Sequence, residues 1–311
     1  MRAVTFARFG GPEVLQVSEL PERAPGPNQV RVRVAAATVN PTDLSFRSGR
    51  QAAQVTGIDP PYIPGMELAG VVEMVGPGST WQPGDRVLAI VIPRRPEGGA
   101  MAESVVVPSA SVARVPADVT LEKAATLPMN GLTARLALDL LALKPGDVLA
   151  VTGAAGAVGG YAVQLGVADG LRVIAVAASS DEPLVKSFGA EAAVPRGPDL
   201  AERIRAIHPE GVDGVVDAAV IGSPILPAIR DSGGLAAVRA FDGGTERGIT
   251  IHRVAVADYA ENHAALSRLV DLVEQGRITL RVAETFPPDR VAEAHRKLEA
   301  GGVRGRLVVA F

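Results

Sequence analysis

The chain has 311 residues, 47% of them hydrophobic and 21% charged, with a formal net charge of -3. That length holds two domains of ordinary size, and the charge balance supplies no basic field for a polyanion, so nucleic acid is not expected as a partner. The chain has no cysteine, which excludes disulfides and every zinc site that needs a thiolate.

The opening Met1-Arg2-Ala3-Val4 reads as a strand, not as a basic and then apolar signal segment. No apolar run reaches the roughly 18 residues that a membrane helix needs. A cytoplasmic protein is expected, with no membrane partner.

Residues 1–117 read as all-β. Val30, Val32 and Val34 alternate with Arg31 and Arg33, the period of a half-buried strand. Apolar runs at 70–75, 86–91 and 104–107 predict further strands. Between them stand Pro64-Gly65, Gly76-Pro77-Gly78 and Pro83-Gly84-Asp85, which punctuate turns. Short strands with such turns predict a small barrel or sandwich.

The character changes near residue 118. Residues 121–143 read as helical, broken at Pro128 and Gly131. From Asp147 strand and helix alternate: strands at 148–152, 172–177, 192–194 and 212–218, helices at 157–167, 184–188 and 200–207. Two more strands are predicted at 234–238 and 248–251. Such alternation implies parallel pairing in a doubly wound sheet. Leu266, Leu269, Val270 and Val273 form an apolar stripe at helical spacing, read as core. The run 307–310 is a strand expected to return to the first domain.

The strongest chemical signal is Gly153-Ala154-Ala155-Gly156-Ala157-Val158-Gly159, directly after an apolar strand and directly before a helix. A glycine at 153 permits the tight turn, one at 156 lets backbone approach a pyrophosphate, and one at 159 lets helix and sheet pack closely. The helix start offers N–H groups and partial positive charge to the anion. A dinucleotide site is predicted there. The next strand ends in Ala177-Ala178-Ser179-Ser180, with no acid at the position that usually binds ribose hydroxyls in an NAD site. Ser179 and Ser180 leave room for a 2′-phosphate, so NADPH is the expected cofactor, although Asp181 and Glu182 follow closely. Lys186 either helps neutralise that phosphate or belongs to a solvated helix face. Val238, ending a later strand, is a further cofactor-binding candidate.

The histidines are His208, His252, His263 and His295, with no pair at the spacing of a helical metal site. His295, flanked by Ala294 and Arg296, reads as structural.

Five ordered stretches resemble the medium-chain dehydrogenase/reductase superfamily, in its zinc-free quinone reductase branch. They are Gly10-Gly11-Pro12-Glu13-Val14-Leu15, Ala37-Thr38-Val39-Asn40-Pro41-Thr42-Asp43, Pro64-Gly65-Met66-Glu67-Leu68-Ala69-Gly70, Leu127-Pro128-Met129-Asn130-Gly131-Leu132-Thr133-Ala134, and Ala294-His295 through Gly305-Arg306-Leu307-Val308. The resemblance implies an α/β fold: a doubly wound Rossmann domain plus a mostly-β, GroES-like barrel domain. Residues 118–258 are expected to form the first, and 1–117 with 259–311 the second.

Asn40 and Met66 stand where zinc-dependent relatives carry a Cys and a His, so no metal site is expected. Without a Lewis acid, the chemistry suits a small quinone or α,β-unsaturated carbonyl, which accepts hydride by conjugate addition. The resemblance places Asn40 and Thr133 near the nicotinamide. It makes Asn40, Asp43 and Tyr62 the catalytic candidates, Asp43 to orient the loop or a polar network, Tyr62 to donate a proton or line the cleft. Arg304 either reaches the cofactor phosphates or sits on the surface. A homodimer joined through edge strands is expected. An enoyl-thioester reductase, or an NADPH-binding sensor with little turnover, are the alternative readings.

Overall fold

A computed structural model describes residues 1–311. In chain order the elements are β1 (Arg2–Thr5), β2 (Gln16–Glu19), β3 (Gln29–Val39), α1 (Pro41–Arg47), β4 (Glu67–Val75), β5 (Arg86–Ile90), β6 (Ser104–Pro108), β7 (Val112–Arg114) and α2 (Leu121–Ala124). There follow α3 (Pro128–Leu141), β8 (Val148–Thr152), α4 (Ala157–Ala168), β9 (Arg172–Ala177), α5 (Glu182–Ser187), β10 (Ala192–Pro195), α6 (Leu200–Ile207), β11 (Val212–Asp217), β12 (Ile229–Ala237) and β13 (Thr250–Arg253). The last are α7 (His263–Glu274), β14 (Val282–Phe286), α8 (Val291–Ala300) and β15 (Arg306–Ala310).

The chain divides into two compact units: Met1–Met129 with Ala257–Glu274 and Thr279–Phe311, and Asn130–Val256 with Gln275–Ile278. The stretch 118–129, expected with the nucleotide domain, belongs to the first unit. The Met129 N–H donates to Glu67 at 2.8 Å in β4, which ties that stretch to the first unit's sheet.

The first unit is built on a sheet of order β14-β15-β3-β4-β5-β7, with β6 also pairing β3, beside the separate pair β1-β2. In β3, Val30, Val32 and Val34 point inward while Arg33 is exposed, as the alternation predicts. Beyond Val34 burial becomes almost continuous, because β15 covers the far end of β3 by pairing Leu307 with Val39 and Val309 with Ala37. The strand at the chain's end therefore does return to the first unit. The all-β reading of 1–117 misses α1, a short helix started by Pro41 immediately after β3. It also misses β2 and β7, which are only 4 and 3 residues long and too short to show a period.

The second unit is a six-stranded sheet of order β10-β9-β8-β11-β12-β13, with every pair parallel. β8 is buried at every position, as a central parallel strand must be. The expected break at Pro128 and Gly131 is half correct. Pro128 starts α3, a position where its missing N–H costs nothing, but Gly131 lies inside the helix without interrupting it. β12 begins five residues before the expected Gly234, at Ile229 opposite Val212. Ser232, at φ 58°, and a register shift lie between those two pairings, so the strand's first half carries an irregularity that breaks its apolar pattern. α7 buries Leu266, Leu269 and Val270 as the stripe predicts. No helix is long and apolar enough to cross a membrane.

Candidate functional site

In the second unit the functional geometry is made by backbone. β8 runs into Gly153, which turns the chain at φ 61° in the left-handed region that favours glycine. Ala154 and Ala155 are buried under the turn, and Gly156 caps α4 without any side-chain cap bond. The glycines are not equivalent. A Cβ on Gly159 would lie 2.2 Å from the Gly153 carbonyl oxygen, so helix and loop pack too closely for any side chain there. A Cβ on Gly156 would meet only that same oxygen, at 3.1 Å, and its remaining surroundings are open. Two amides of the loop already serve the loop itself: Ala154 N–H donates to the Val176 carbonyl at 3.1 Å and Gly156 N–H to the Gly153 carbonyl at 2.8 Å. Ala154, expected to bind cofactor, therefore shapes the turn. The first-turn amides of Ala157, Val158 and Gly159 are those that a helix start leaves without an intrahelical acceptor.

At the carboxyl end of β9, Ser179 and Ser180 are exposed, while Asp181 is folded inward at 9% exposure. Lys186 is a correction. Its ammonium donates to the Glu191 carbonyl at 2.6 Å, and Glu191 N–H bonds Val173 at the start of β9. Lys186 thus sits at the amino-terminal edge of the sheet, opposite the edge that carries the glycine loop.

The ends of β8 and β11 are tied together by a pair that sequence reasoning missed. Thr152 Oγ1 donates to Asp217 Oδ1 at 2.6 Å and accepts from Ala219 N–H at 2.9 Å. Asp217 also accepts from Ile221 N–H at 3.0 Å and Gly222 N–H at 2.9 Å. Beside this knot a cavity of about 330 Å³ opens at the carboxyl ends of β11 and β12, lined among others by Asp217, Gly222, Ser223, Val238 and Arg239. Val238 and the glycine loop so share one edge of the sheet, where open α/β sheets bind ligands. Thr133 is a buried position in α3.

In the first unit the functional geometry is made by side chains. Asn40 follows β3 and caps α1, and Asp43 sits in the first turn of that helix. Asp43 accepts from Asn40 N–H and from Gly65 N–H, both at 2.8 Å, pinning the start of α1 to the turn before β4. Burial is the largest influence on Asp43 and lifts its carboxyl to about 7, against the lowering effect of those amides and of Arg306.

Arg306 lies at the centre of the buried cluster. Its Nη2 donates to Thr38 Oγ1 at 2.6 Å, Asn40 Oδ1 at 2.7 Å and Glu67 Oε1 at 2.7 Å. Asn40 Nδ2 donates to Glu67 Oε1 at 3.2 Å, and Thr38 Oγ1 donates to the same oxygen. Asn40 and Asp43, expected at the reacting centre, are both fully buried. Their polar atoms are engaged inside the protein, so they position the fold around them and present no free group. Tyr62 is not brought to this cluster by any hydrogen bond. Its ring lies 5.8 Å from Phe9 and nearly parallel to it, against Phe6 and Phe46. Arg304 is exposed in the loop before β15.

Arg306 and Glu67 were not singled out as site residues. The available signal was a charge of opposite sign at the head of each of two largely apolar strands, separated by 239 positions. His295 is structural, as expected. Arg47 bridges the Gly10 carbonyl at 3.1 Å, His295 Nδ1 at 3.1 Å and Glu299 at 2.5 Å. Burial, and then the Arg47 charge, hold His295 down to about 3. A guanidinium only donates, so the neutral imidazole accepts at Nδ1 and carries its proton on Nε2.

The family model described as "Alcohol dehydrogenase GroES-like domain" matches residues 26–117, and the one described as "Zinc-binding dehydrogenase" matches 188–309. A 2-haloacrylate reductase from Burkholderia sp is 30% identical over 333 residues, covering 99% of this chain and 98% of that protein. A quinone oxidoreductase from Lama guanicoe is 28% identical, covering 99% and 97%. Among solved structures, an NAD-dependent alcohol dehydrogenase is 31% identical with a TM-score of 0.89, covering 100% of both chains. A mycobacterial protein solved in complex with NADPH is 29% identical with a TM-score of 0.85, also covering 100% of both. Motifs, topology and full-length similarity agree: the chain belongs to the medium-chain dehydrogenase/reductase superfamily, in its quinone oxidoreductase-like branch.

Proposed function

We propose that this member of an oxidoreductase family uses NADPH to reduce a quinone or an α,β-unsaturated carbonyl compound, without zinc. The observation that carries the reading is the start of α4 at Gly156, where a Cβ would meet only the Gly153 carbonyl oxygen, with the exposed Ser179 and Ser180 just beyond the neighbouring strand β9 and Asp181 turned inward. The amides of Ala157, Val158 and Gly159, with Ala155 and Gly156 beneath them, would hold the pyrophosphate. Ser179 and Ser180 would take the 2′-phosphate, which an outward-facing acid would repel. Thr133 and Val238 would border the nicotinamide end, and Arg304 is the candidate for a further phosphate contact. When bound, the nicotinamide supplies the hydride. This chain's residues bind it, orient it and exclude water from the acceptor.

The donor set around Asn40 does not fit zinc. Asn40 and Met66 offer an amide and a buried thioether, and the Asn40 oxygen already accepts from Arg306. A dication there would face a guanidinium lying 2.7 Å from Glu67. No group of three or more His, Cys, Asp or Glu gathers as a metal set. The acceptors that need least help from a Lewis acid are quinones and enones, and the names of the Burkholderia and Lama relatives point to the same chemistry. The outermost strand β13 has an unpaired edge, which supports a homodimer joined there.

The test is cofactor oxidation by the purified chain with naphthoquinone, benzalacetone and a crotonyl thioester, run with NADPH and NADH, with and without EDTA. The reading expects turnover of the first two with NADPH, indifferent to EDTA. Turnover of the thioester alone would make it an enoyl reductase. Tight NADPH binding with no turnover would make it a sensor. Loss of activity with EDTA, restored by zinc, would overturn the metal-free assignment.

A further inference from the structure

The loop after β5 carries two consecutive arginines with different surroundings. Arg95 has an acidic partner, Glu261, at 3.6 Å. Arg94 is only partly exposed, yet no carboxylate lies within salt-bridge reach of it. Its hydrogen bond is from Nη1 to the side-chain oxygen of Gln51, at 2.8 Å.

The chain's other well-covered arginines are compensated. Arg31 pairs with Glu22 and Glu73, Arg47 with Glu299, Arg135 with Asp139 and Asp169, and Arg306 with Glu67. Arg86 and Arg205 have no carboxylate either, but each donates to three backbone carbonyls, whereas Arg94 has one neutral side-chain acceptor. Burial weakens its hold on its proton more than the nearby Asp43 strengthens it. Asp43 is a poor counter-charge, because burial lifts its own carboxyl to about 7 and both its oxygens already accept backbone amides.

A guanidinium partly withdrawn from water and bonded to a neutral amide keeps its charge while its fork is held in one orientation. A structural arginine would be expected to find a carboxylate or several carbonyls, as Arg86 does with Pro116, Ala117 and Val119. Gln51 belongs to the segment that follows α1, so its bond to Arg94 joins the loop after β5 to that segment. We propose that Arg94, braced by Gln51, is an anion-recognition residue for the acceptor, so that the preferred substrates are conjugated carbonyl compounds bearing a carboxylate. This rests on the reductase reading above. The fork would meet the carboxylate through paired N–H donors and set which acceptors are chosen. Arg94 is a specificity residue with no part in moving the hydride.

The experiment compares benzalacetone with its para-carboxylate as acceptors for the purified chain. Wild type is expected to favour the carboxylate in kcat/KM by about tenfold or more, the effect of one charge-assisted contact. In Arg94→Gln that preference is lost through a rise in KM for the carboxylate, and Arg94→Lys recovers part of it. An unchanged preference in Arg94→Gln would overturn the inference. If wild type reduced neither acceptor, the reductase reading would fail instead. Saturation-transfer NMR with benzoate would then read the anion site alone. Benzoate signal lost in Arg94→Gln supports it, and equal signal in both proteins overturns it.

Discussion

The two units make their functional geometry from different materials. Around Gly153 the second unit uses backbone amides, close approach and the end of one helix, all within seven consecutive residues. Around Arg306 the first unit uses side chains from β3, β4 and β15 that meet only after the sheet has formed. A backbone site is tolerant of side-chain identity except where a Cβ would intrude. A buried side-chain site is intolerant at every member, because each partner leaves the others unsatisfied.

The sharpest test of that contrast is Arg306→Met. It leaves the Glu67 carboxylate buried without its cation and should lower unfolding stability by about 3–5 kcal/mol, measured by urea denaturation. A loss below about 1 kcal/mol, the level of an exposed pair, would show that the cluster is not the stabilising unit described. Next is Gly156→Val. The fold should persist, since the Cβ meets only the Gly153 carbonyl oxygen, at 3.1 Å, while NADPH affinity falls by about a hundredfold, or roughly 3 kcal/mol, in a fluorescence titration. Retained affinity would remove the glycine loop from the cofactor site. A smaller effect, about tenfold or 1.4 kcal/mol, is expected for Ser180→Asp, which should shift preference from NADPH toward NADH in parallel titrations.

The smallest effects concern pH, and two buried groups of the first unit, Asp43 and His295, act in opposite directions. Asp43, lifted to about 7, keeps its proton in the folded chain after the unfolded carboxyl has lost it. Its contribution to stability therefore falls as pH rises from about 4 to about 7, and is flat above. His295, held down to about 3, stays neutral while the unfolded imidazole takes a proton. Its contribution is therefore lost as pH falls from about 6.5 toward 3. Denaturation over a pH series should show Asp43→Asn flattening the first slope and His295→Gln the second. Slopes unchanged by either variant would contradict both assignments.

The same contrast explains what the sequence made legible. The glycine spacing, the apolar run of β8 and the helix after it lie side by side in the chain, so their joint meaning can be read locally. The end of β9 at Ala177, with Ser179 and Ser180 exposed beyond it, was legible for the same reason. Lys186 was misjudged because its distance along the chain says nothing about which end of β9 it occupies; α5 carries it back to the strand's beginning. Asn40 and Asp43 were found through motifs, but motifs do not show burial, and their enclosed positions depend on Gly65, Glu67 and Arg306. The Thr152–Asp217 pair joins neighbouring strands 65 positions apart and leaves no local trace. Arg94 stood in a loop with no period and no motif, and its neutral partner, Gln51, lies 43 positions away, which only the fold reveals.

One feature of the sheet bears on how the molecule is made. β15 is not at an edge: it lies between β14 and β3, so residue 39 waits for residue 307 before its ladder closes. The second unit draws almost wholly on one continuous stretch, 130–256. On the ribosome, where domains form as units from the N-terminal side, that stretch has its full set of strands before the first unit has its own. The earlier-made strands of the first unit must therefore stay soluble, with β3 half-paired and Glu67 without Arg306, until the closing strand emerges. A chain stalled before Arg306 would carry an assembled nucleotide domain beside an exposed, adhesive sheet. It would be a natural target for chaperones and proteases.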